Sequence, residues 1–271
     1  MKAIVVVLIP CLLLFNCEQQ TKPLETNTDT TTAKPKTIVD LSHAYSHETV
    51  YWVTAKEFEL DTVFNGQTDK GFYYSAYNFS TAEHGGTHID APIHFAEGKQ
   101  TVDEIPLEKL MGPAIKIDVS KNAQAKPDYL ITVADLKTWE ATHFTIPDAS
   151  IVLLQTGFAK YYPNKAQYLG TNERGEHAIA KLHFPGLSPE AADWLVKQRN
   201  INAIGIDTPS IDYGQSEYFK SHVSLLSANI PAFENLTNLD QLPNTNFTII
   251  ALPMKIKGGS GAPLRIVAVL E

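Results

Sequence analysis

The sequence predicts a single domain of the α/β class, of mixed α+β type, built on a curved and partly barrel-like sheet. Short apolar segments rich in β-branched and aromatic residues outnumber the helical segments and recur at irregular spacing. The composition, 44% hydrophobic and 19% charged over 271 residues, is typical of one soluble domain with a sizeable core.

The predicted strands begin at residues 37–41, where β-branched residues precede a polar turn at Ser42 and His43. Residues 71–79 are rich in aromatic side chains that alternate between two faces, which is typical of a strand. Further strands are predicted at residues 115–119, 151–154, 202–206, 247–252 and 264–270.

Two helices have clear start signals. Thr132 precedes the first, at residues 133–142, and Asp135 three positions later completes the pattern of a capping box. Ser188 precedes the second, at residues 189–199, as an N-cap residue, and a proline occupies its first helical position.

The N-terminal region, residues 1–17, has the pattern of a bacterial export signal. Lys2 supplies a positive charge before an apolar run that is too short to span a bilayer comfortably. The run ends in Leu-Phe-Asn-Cys, which resembles a lipobox with Cys17 as the lipidated residue, although Asn16 stands where a small residue is usual. A plain signal peptide and an uncleaved anchor are the alternatives. Residues 18–36 are polar, which predicts a flexible tether.

The folded domain is therefore expected at residues 37–271, after the signal and the tether. We expect an exported protein, either lipid-anchored to the bacterial membrane and facing the periplasm or free in the periplasm. The membrane would then be contacted only through the N-terminal anchor. A formal charge of −8 and the lack of a long basic run argue against a nucleic-acid partner.

Cysteine usage restricts the chemistry available to the domain. The sequence has two cysteines, Cys11 in the apolar run and Cys17 at the lipobox. Thiolate catalysis and a cysteine-ligated zinc ion are therefore excluded from the mature domain. A metal ion there has to be held by histidine and carboxylate side chains.

Three of the nine histidines, His84, His88 and His94, lie within eleven residues that also contain Asp90. Imidazole and carboxylate groups are the ligands expected for Zn²⁺, Mn²⁺ or Fe²⁺. Two glycines and Pro92 make a helix unfavourable, so His88 and Asp90 fall on the same side of an extended segment. The glycines let the backbone bend so that His84 reaches the same point, and Pro92 turns the chain to place His94 nearby.

The segment His-Gly-Gly-Thr-His-Ile-Asp-Ala-Pro-Ile-His resembles the HxGTHxDxPxH signature of the metal-dependent cyclase family. That family includes bacterial kynurenine formamidase, also called arylformamidase, and isatin hydrolase. The resemblance extends to residues 40–43 with 51–52, and to residues 205–212, 222–234 and 259–265, so it covers essentially the whole predicted domain.

The resemblance implies roles for the clustered residues. His84, His88 and Asp90 are implied to be the ligands of a first divalent ion, zinc or manganese. His94 is implied to be the catalytic histidine, close to the water that attacks the substrate.

The resemblance also implies a second site in some members, where a histidine and a glutamate twelve residues later complete it. His222 and Glu234 stand at that spacing. Because other members work with one ion, one or two divalent ions are expected. The implied fold is a swivelling β/β/α domain that assembles as a homodimer or homotetramer, with aromatic residues from loops closing the pocket.

The expected chemistry is hydrolysis, since a divalent ion activates water and polarises a carbonyl without a serine or cysteine nucleophile. Asp90 would orient the water, and His94 would act as general base and then as general acid. Tyr51 and Trp52, in an irregular segment, and Phe95, next to His94, are predicted to bind the substrate.

Three further aromatic residues, Phe64, Phe72 and Tyr74, are weaker candidates for the pocket. Aromatic residues at strand spacing more often belong to the core, and that is the expectation for each of them.

The leading functional hypothesis is hydrolysis of an amide in a small aromatic molecule. The substrate would be the formamide of N-formylkynurenine, a step of tryptophan catabolism, or the cyclic amide of isatin. A lactone or ester hydrolase using the same site is a second hypothesis. A lipoprotein that binds metal or ligand without catalysis is a third, and the intact histidine cluster argues against it.

Overall fold

The computed structural model of the chain describes residues 36–270. The predicted signal peptide with Cys17, and residues 18–35 of the predicted tether, lie outside the described residues. Within the described part of the chain, no helix is both long enough and apolar enough to cross a membrane.

Twelve strands occur in residues 36–270: β1 (Thr37–Asp40), β2 (Glu59–Gln67), β3 (Tyr73–Ser80), β4 (His88–Asp90), β5 (Met111–Asp118), β6 (Leu130–Ile131), β7 (Ile151–Gln155), β8 (Gly186–Leu187), β9 (Ala203–Ile206), β10 (Ala232–Glu234), β11 (Phe247–Pro253) and β12 (Gly261–Leu270). The α-helices of the same part are α1 (Leu107–Leu110), α2 (Ser120–Ala125), α3 (Val133–Thr142), α4 (Lys165–Tyr168), α5 (Pro189–Gln198) and α6 (Lys220–Ser227). Short 3-10 helices span Pro92–His94, Phe158–Tyr161, Glu176–Lys181 and Leu239–Gln241.

Seven strands form a closed sheet in the order β12, β11, β5, β7, β9, β10 and β4, and β4 pairs again with β12. Strands β5, β7, β9 and β10 are parallel to one another, and the remaining pairings in the ring are antiparallel. Strand β1 pairs with the far end of β12 and adds an eighth strand. The predicted mixed α/β domain with a curved, barrel-like sheet is confirmed.

Side chains that alternate along the strands fill two buried layers. Leu153, Phe233 and Ile249 belong to the cluster inside the closed sheet. Val152 and Ile204 belong to a second cluster, which the strands share with α3, α5 and α6. Because successive side chains of a strand face opposite sides, both layers are built from the same strands. The sheet is therefore held from within and from one outer face.

The predicted helices are confirmed, with one difference at an end. Thr132 and Asp135 form both hydrogen bonds of the capping box at the start of α3. Helix α5 follows Ser188 as predicted and ends at Gln198, one residue before the predicted end. Helix α6 was not predicted, because its cap residue, Phe219, has a left-handed backbone and forms no side-chain cap.

Strands β2 and β3 form a hairpin that pairs with no other strand in the described part of the chain. Phe64, Phe72 and Tyr74 lie in this hairpin and are 38–54% exposed. The expectation that these three residues belong to the core is therefore wrong. Their alternation is that of a strand, but nearly all residues of both strands are exposed.

Close packing inside the closed sheet predicts that Gly205→Ala destabilises the protein. A Cβ atom at this position would lie 2.7 Å from Leu236 Cδ1 and 2.8 Å from Leu153 Cδ2. Overpacking of this kind costs about 1–3 kcal/mol, measurable as a lower urea midpoint. Gly66→Ala in β2 is the control, because its Cβ would meet nothing within 4 Å. Equal midpoints for the two variants would contradict the packing described.

Candidate active site

Strand β4 carries two of the clustered residues at the point where the sheet closes. His88 lies opposite Glu234 of β10 on one side of the strand and opposite Pro263 of β12 on the other. Because alternate residues of a strand share a face, His88 and Asp90 point to the same side. Closing the sheet therefore places Glu234 beside these two side chains.

Two glycines shape the turn that returns His84 to Asp90. A Cβ atom at Gly85 would lie 2.0 Å from Cδ1 of Tyr51, so only glycine fits against that ring. Gly86 has a φ of +55°, in the left-handed region that favours glycine. The bend brings His84 Nδ1 to 2.7 Å from Asp90 Oδ1.

Two groups of side chains share the Asp90 carboxylate. In the first group, His88 Nε2 lies 3.2 Å from Asp90 Oδ1, next to His84. In the second, His222 Nε2 lies 3.0 Å from Asp90 Oδ2 and 3.1 Å from Glu234 Oε1. The potential ligand atoms within each group lie within 4.8 Å of one another. Each group has the size and donor types of a divalent-metal site.

Burial and mutual contacts shift the pKa values of these groups. Burial favours the protonated form of Asp90, but hydrogen bonds from three histidines outweigh it and hold its pKa well below the usual range. Burial and the neighbouring Asp90 charge raise the pKa of Glu234. The pKa of His222 is raised, because its carboxylate partners outweigh the opposing effect of burial.

A divalent cation fits this donor set. Asp90 and Glu234 are both buried, at 1% and 3% exposure. Within residues 36–270 their ion-pair partners are histidines, and no lysine or arginine pairs with them. Two buried carboxylates require compensating positive charge. A divalent ion would supply that charge and leave the surrounding imidazoles neutral.

Both histidines of the first group are fixed through their second ring nitrogens. Nδ1 of His88 contacts the carbonyl oxygen of Gly86 at 2.9 Å. Nε2 of His84 lies 2.9 Å from the hydroxyl of Ser260, which donates in turn to Glu83. Such partners set the tautomer and ring orientation of a ligating histidine.

A cavity of about 300 Å³ opens above the shared carboxylate. Its walls are mostly apolar and include Val50, Tyr51, Trp52, Phe95, Pro209 and Phe219. This volume lies at the lower end of the range for small-molecule sites, and polar groups are concentrated at its floor. The cavity suits a small and largely apolar molecule with one polar edge.

His94 lies in this cavity without being part of either group of potential ligands. Its ring stacks on that of His84, with centroids 3.8 Å apart. Burial lowers the pKa of His94 to about 4, so its imidazole is neutral at neutral pH. A neutral imidazole beside the candidate metal position can accept a proton.

Comparison with known proteins assigns the chain to a family. A family model described as a putative cyclase matches residues 39–213. The chain belongs to the cyclase family. Isatin hydrolase from Roseibium aggregatum is 32% identical over 221 residues, which are 78% of this chain and 81% of that protein. Kynurenine formamidase from Salinibacter ruber is 27% identical over 232 residues, or 85% of this chain and 96% of that protein.

Solved structures agree with this assignment to the cyclase family. Isatin hydrolase A from Labrenzia aggregata, bound to benzyl benzoate, matches with a TM-score of 0.79 and 35% identity, covering 87% of this chain and 94% of that chain. The family resemblance inferred from the histidine-rich segment is confirmed.

In this cyclase-family chain, the structure brings together every residue predicted for the site. Asp90 joins His84, His88, His222 and Glu234, and His94, Tyr51, Trp52 and Phe95 line the cavity above them. The exposed hairpin residues Phe64, Phe72 and Tyr74 do not line this cavity.

Sequence reasoning missed several residues of the site, and two of them, Phe219 and Asp212, contact predicted site residues. Phe219 forms part of the cavity wall, with its ring centroid 5.3 Å from that of Phe95. Asp212 is buried, and its Oδ2 atom lies 2.7 Å from Nδ1 of His222. The only sequence signal for them is position, because Asp212 ends the resembling segment at residues 205–212 and Phe219 precedes His222 by three residues.

Proposed function

We propose that this protein is a divalent-metal-dependent hydrolase that opens an amide bond in a small aromatic substrate, of the isatin hydrolase or arylformamidase type. One observation carries the proposal. A single buried carboxylate, Asp90, joins two sets of metal-type donors at the floor of an aromatic cavity.

The residues present fit one or two ions, with zinc or manganese as the proposed metals. His84, His88 and Asp90 would hold one ion, and Asp90 with His222 and Glu234 would hold a second. When bound, a divalent ion activates water and polarises the carbonyl of the substrate.

The side chains around the ions perform the remaining steps. Tyr51, Trp52 and Phe95 enclose the aromatic ring of the substrate and exclude water from it. His94 removes a proton from the attacking water as the new C–O bond forms. It then returns the proton to the leaving nitrogen as the C–N bond breaks, so the products are a carboxylic acid and an amine.

The names of the relatives favour an amide substrate over a lactone or an ester. The isatin hydrolase from Roseibium aggregatum and the formamidase from Salinibacter ruber carry names of C–N hydrolases. A lactone or ester would place a carbonyl in the same position, but no relative reported above is named for that reaction. A lipoprotein that binds metal without catalysis is disfavoured, because every predicted ligand and His94 are in place.

The test is a hydrolysis panel with the purified domain from Thr37 onward. Isatin, N-formylkynurenine and an aromatic lactone are compared by kcat/KM after loading with Mn²⁺ or Zn²⁺. We expect turnover of at least one of the two amides, loss of activity with a chelator and recovery with metal. Full activity in metal-free protein, or turnover of the lactone alone, would reject the proposed function.

The proposed roles of His94 as the proton carrier and Asp90 as the shared metal ligand predict different results for two variants. His94→Ala should retain the metal content of the wild type and lose about 10²–10⁴-fold in kcat, because only the proton carrier is removed. Asp90→Ala should lose metal from both positions, because both groups share its carboxylate. Elemental analysis and steady-state kinetics measure the two effects. A His94→Ala protein that loses metal and regains wild-type turnover on reconstitution would refute the role of His94.

We further propose that the protein assembles as a homodimer or homotetramer through the β2–β3 hairpin. Eight large apolar side chains of this hairpin are 38–60% exposed: Leu60, Val63, Phe64, Phe72, Tyr73, Tyr74, Tyr77 and Phe79. Because neighbouring residues of a strand face opposite sides, these side chains lie on both faces of the hairpin. Together they present on the order of 600–1,000 Å², and each partner of a stable interface contributes ~800 Å². The hairpin edges carry no further strand in the described part of the chain. A second copy that packs against both faces of the hairpin can cover these side chains by twofold symmetry.

Light scattering after size exclusion tests the assembly. Wild-type protein should elute as a dimer or tetramer, and the double variant Val63→Lys/Tyr73→Lys should shift towards the monomer. Leu252→Lys is the control, because Leu252 is 48% exposed but lies in β11. A monomeric wild type, or an equal shift in the control, would exclude the hairpin as the interface.

We also propose that the protein is exported and lipid-anchored at Cys17, with free periplasmic protein as the alternative. The positive charge at Lys2, the apolar run and the polar residues 18–36 support this proposal. Cys17→Ala should move the protein from the membrane fraction to the soluble fraction of a bacterial host. Unchanged fractionation of the variant would contradict lipidation at this residue.

A further inference from the structure

We propose that Asp212 is a positioning residue. It orients His222, a ligand of the proposed metal site, and it fixes the position of Phe219, which forms part of the wall of the substrate cavity. The inference rests on the metal site of the proposed function. It adds two residues to that site, one acting through its neighbours and one in contact with the substrate.

One oxygen of Asp212 holds His222. Oδ2 accepts a hydrogen bond from the ring Nδ1 at 2.7 Å and another from the backbone amide of the same residue at 3.0 Å. Asp212 is 1% exposed, so these contacts are shielded from water. With the proton on Nδ1, the lone pair of Nε2 faces Asp90 and Glu234, where the second ion would lie.

The other oxygen of Asp212 holds the segment before α6. Oδ1 accepts from the amide of Ser221 at 3.2 Å and from the hydroxyl of Ser216 at 3.2 Å. The first amides of a helix need acceptors from outside it, and here Asp212 provides them in place of a capping side chain. The start of α6, and therefore the position of His222, depends on this carboxylate.

Ser216 extends the same network to Phe219. Its hydroxyl oxygen accepts a hydrogen bond from the amide of Phe219 at 3.2 Å. Phe219 has a φ of +45°, a left-handed conformation that is unfavourable for a bulky side chain and persists only where neighbours fix it. In this conformation its ring lies in the cavity wall, 6.1 Å from that of Trp52 and 6.2 Å from that of His222.

The turn that carries Asp212 is itself fixed. The backbone amide of Ile211 donates to Glu234 Oε1 at 2.6 Å, so the same turn also orients the other ligand of the second group. A Cβ atom at Gly186 would lie 2.4 Å from the carbonyl carbon of Asp212, so the chain of β8 packs directly against the turn. Asp212 therefore acts from a rigid support.

Two variants separate the effects of this network, with a third as the control. Asp212→Asn replaces one of the two acceptor oxygens by an NH₂ group, which cannot accept a hydrogen bond. In either orientation the side chain is neutral, so it pairs less well with the Nδ1–H group of His222. Ser216→Ala removes the link between Asp212 and Phe219 and leaves both hydrogen bonds from His222 to Asp212 in place. Ser224→Ala is the control on α6, because its hydroxyl bonds Asp193 at 2.6 Å and does not contact Asp212.

The measurements are metal titration by calorimetry, with Zn²⁺ or Mn²⁺, and steady-state kinetics on the amide that the wild type hydrolyses. For Asp212→Asn we expect the affinity of the second ion to fall about 10–100-fold while that of the first changes less than about twofold. For Ser216→Ala we expect unchanged metal affinities and a KM raised several-fold with little change in kcat. Ser224→Ala should match the wild type in all these quantities.

Failure of the proposed function and failure of the proposed role of Asp212 give different results. A wild type that binds no metal or hydrolyses no amide rejects the proposed function. A wild type that binds two ions, with Asp212→Asn binding both as tightly, overturns only the role of Asp212. Unchanged KM in Ser216→Ala overturns the role of the link to Phe219. If Asp212→Asn fails to fold, ¹⁵N NMR of the zinc-loaded wild type decides, because a proton on His222 Nε2 instead of Nδ1 contradicts the proposal.

Discussion

Closure of the sheet by the short strand β4 is the constraint on which the site depends. This strand has three residues, and it pairs with β10 on one side and with β12 on the other. The strand that carries His88 and Asp90 is therefore hydrogen-bonded along both of its edges, at the seam where the sheet closes on itself. Glu234 is placed by the same register, since it lies opposite His88 in the pairing with β10. A shift of one residue in that pairing would turn these side chains to the opposite face.

The buried charge at this seam explains the arrangement around it. A carboxylate removed from water is unfavourable unless it is hydrogen-bonded and its charge is compensated. Asp90 uses both oxygens, one towards His84 and one towards His222. Each of these histidines is held in turn by a further acceptor, Ser260 or Asp212. The result is a rigid set of donors around a position that suits a cation, so the protein needs little rearrangement to bind one.

Sequence reasoning recovers the parts of this arrangement that are local in the chain. The bend from His84 to Asp90 follows from glycine and strand geometry within seven residues, and the capping box of α3 follows from Thr132 and Asp135. His222 lies 132 residues from Asp90, so only the family resemblance linked them. Helix α6 was missed because its capping acceptor lies on another segment. The hairpin was misjudged because alternation of side chains identifies a strand but not the layer that covers it.

The difference between local contacts and contacts between distant segments also explains why the hydrolytic chemistry is better defined than the identity of the substrate. One wall of the cavity is tied to the potential metal ligands, because the Tyr51 ring packs against Gly85, next to His84, in the space that a Cβ atom at Gly85 would need. Another part of the wall comes from Trp52 and Phe219, which approach from distant segments to a centroid distance of 6.1 Å. Neither of these two residues is a potential metal ligand, and neither lies in the histidine-rich segment. Changes at this contact alter the width of the cavity while the donors at its floor stay in place, so substrate choice can vary on an unchanged hydrolytic centre.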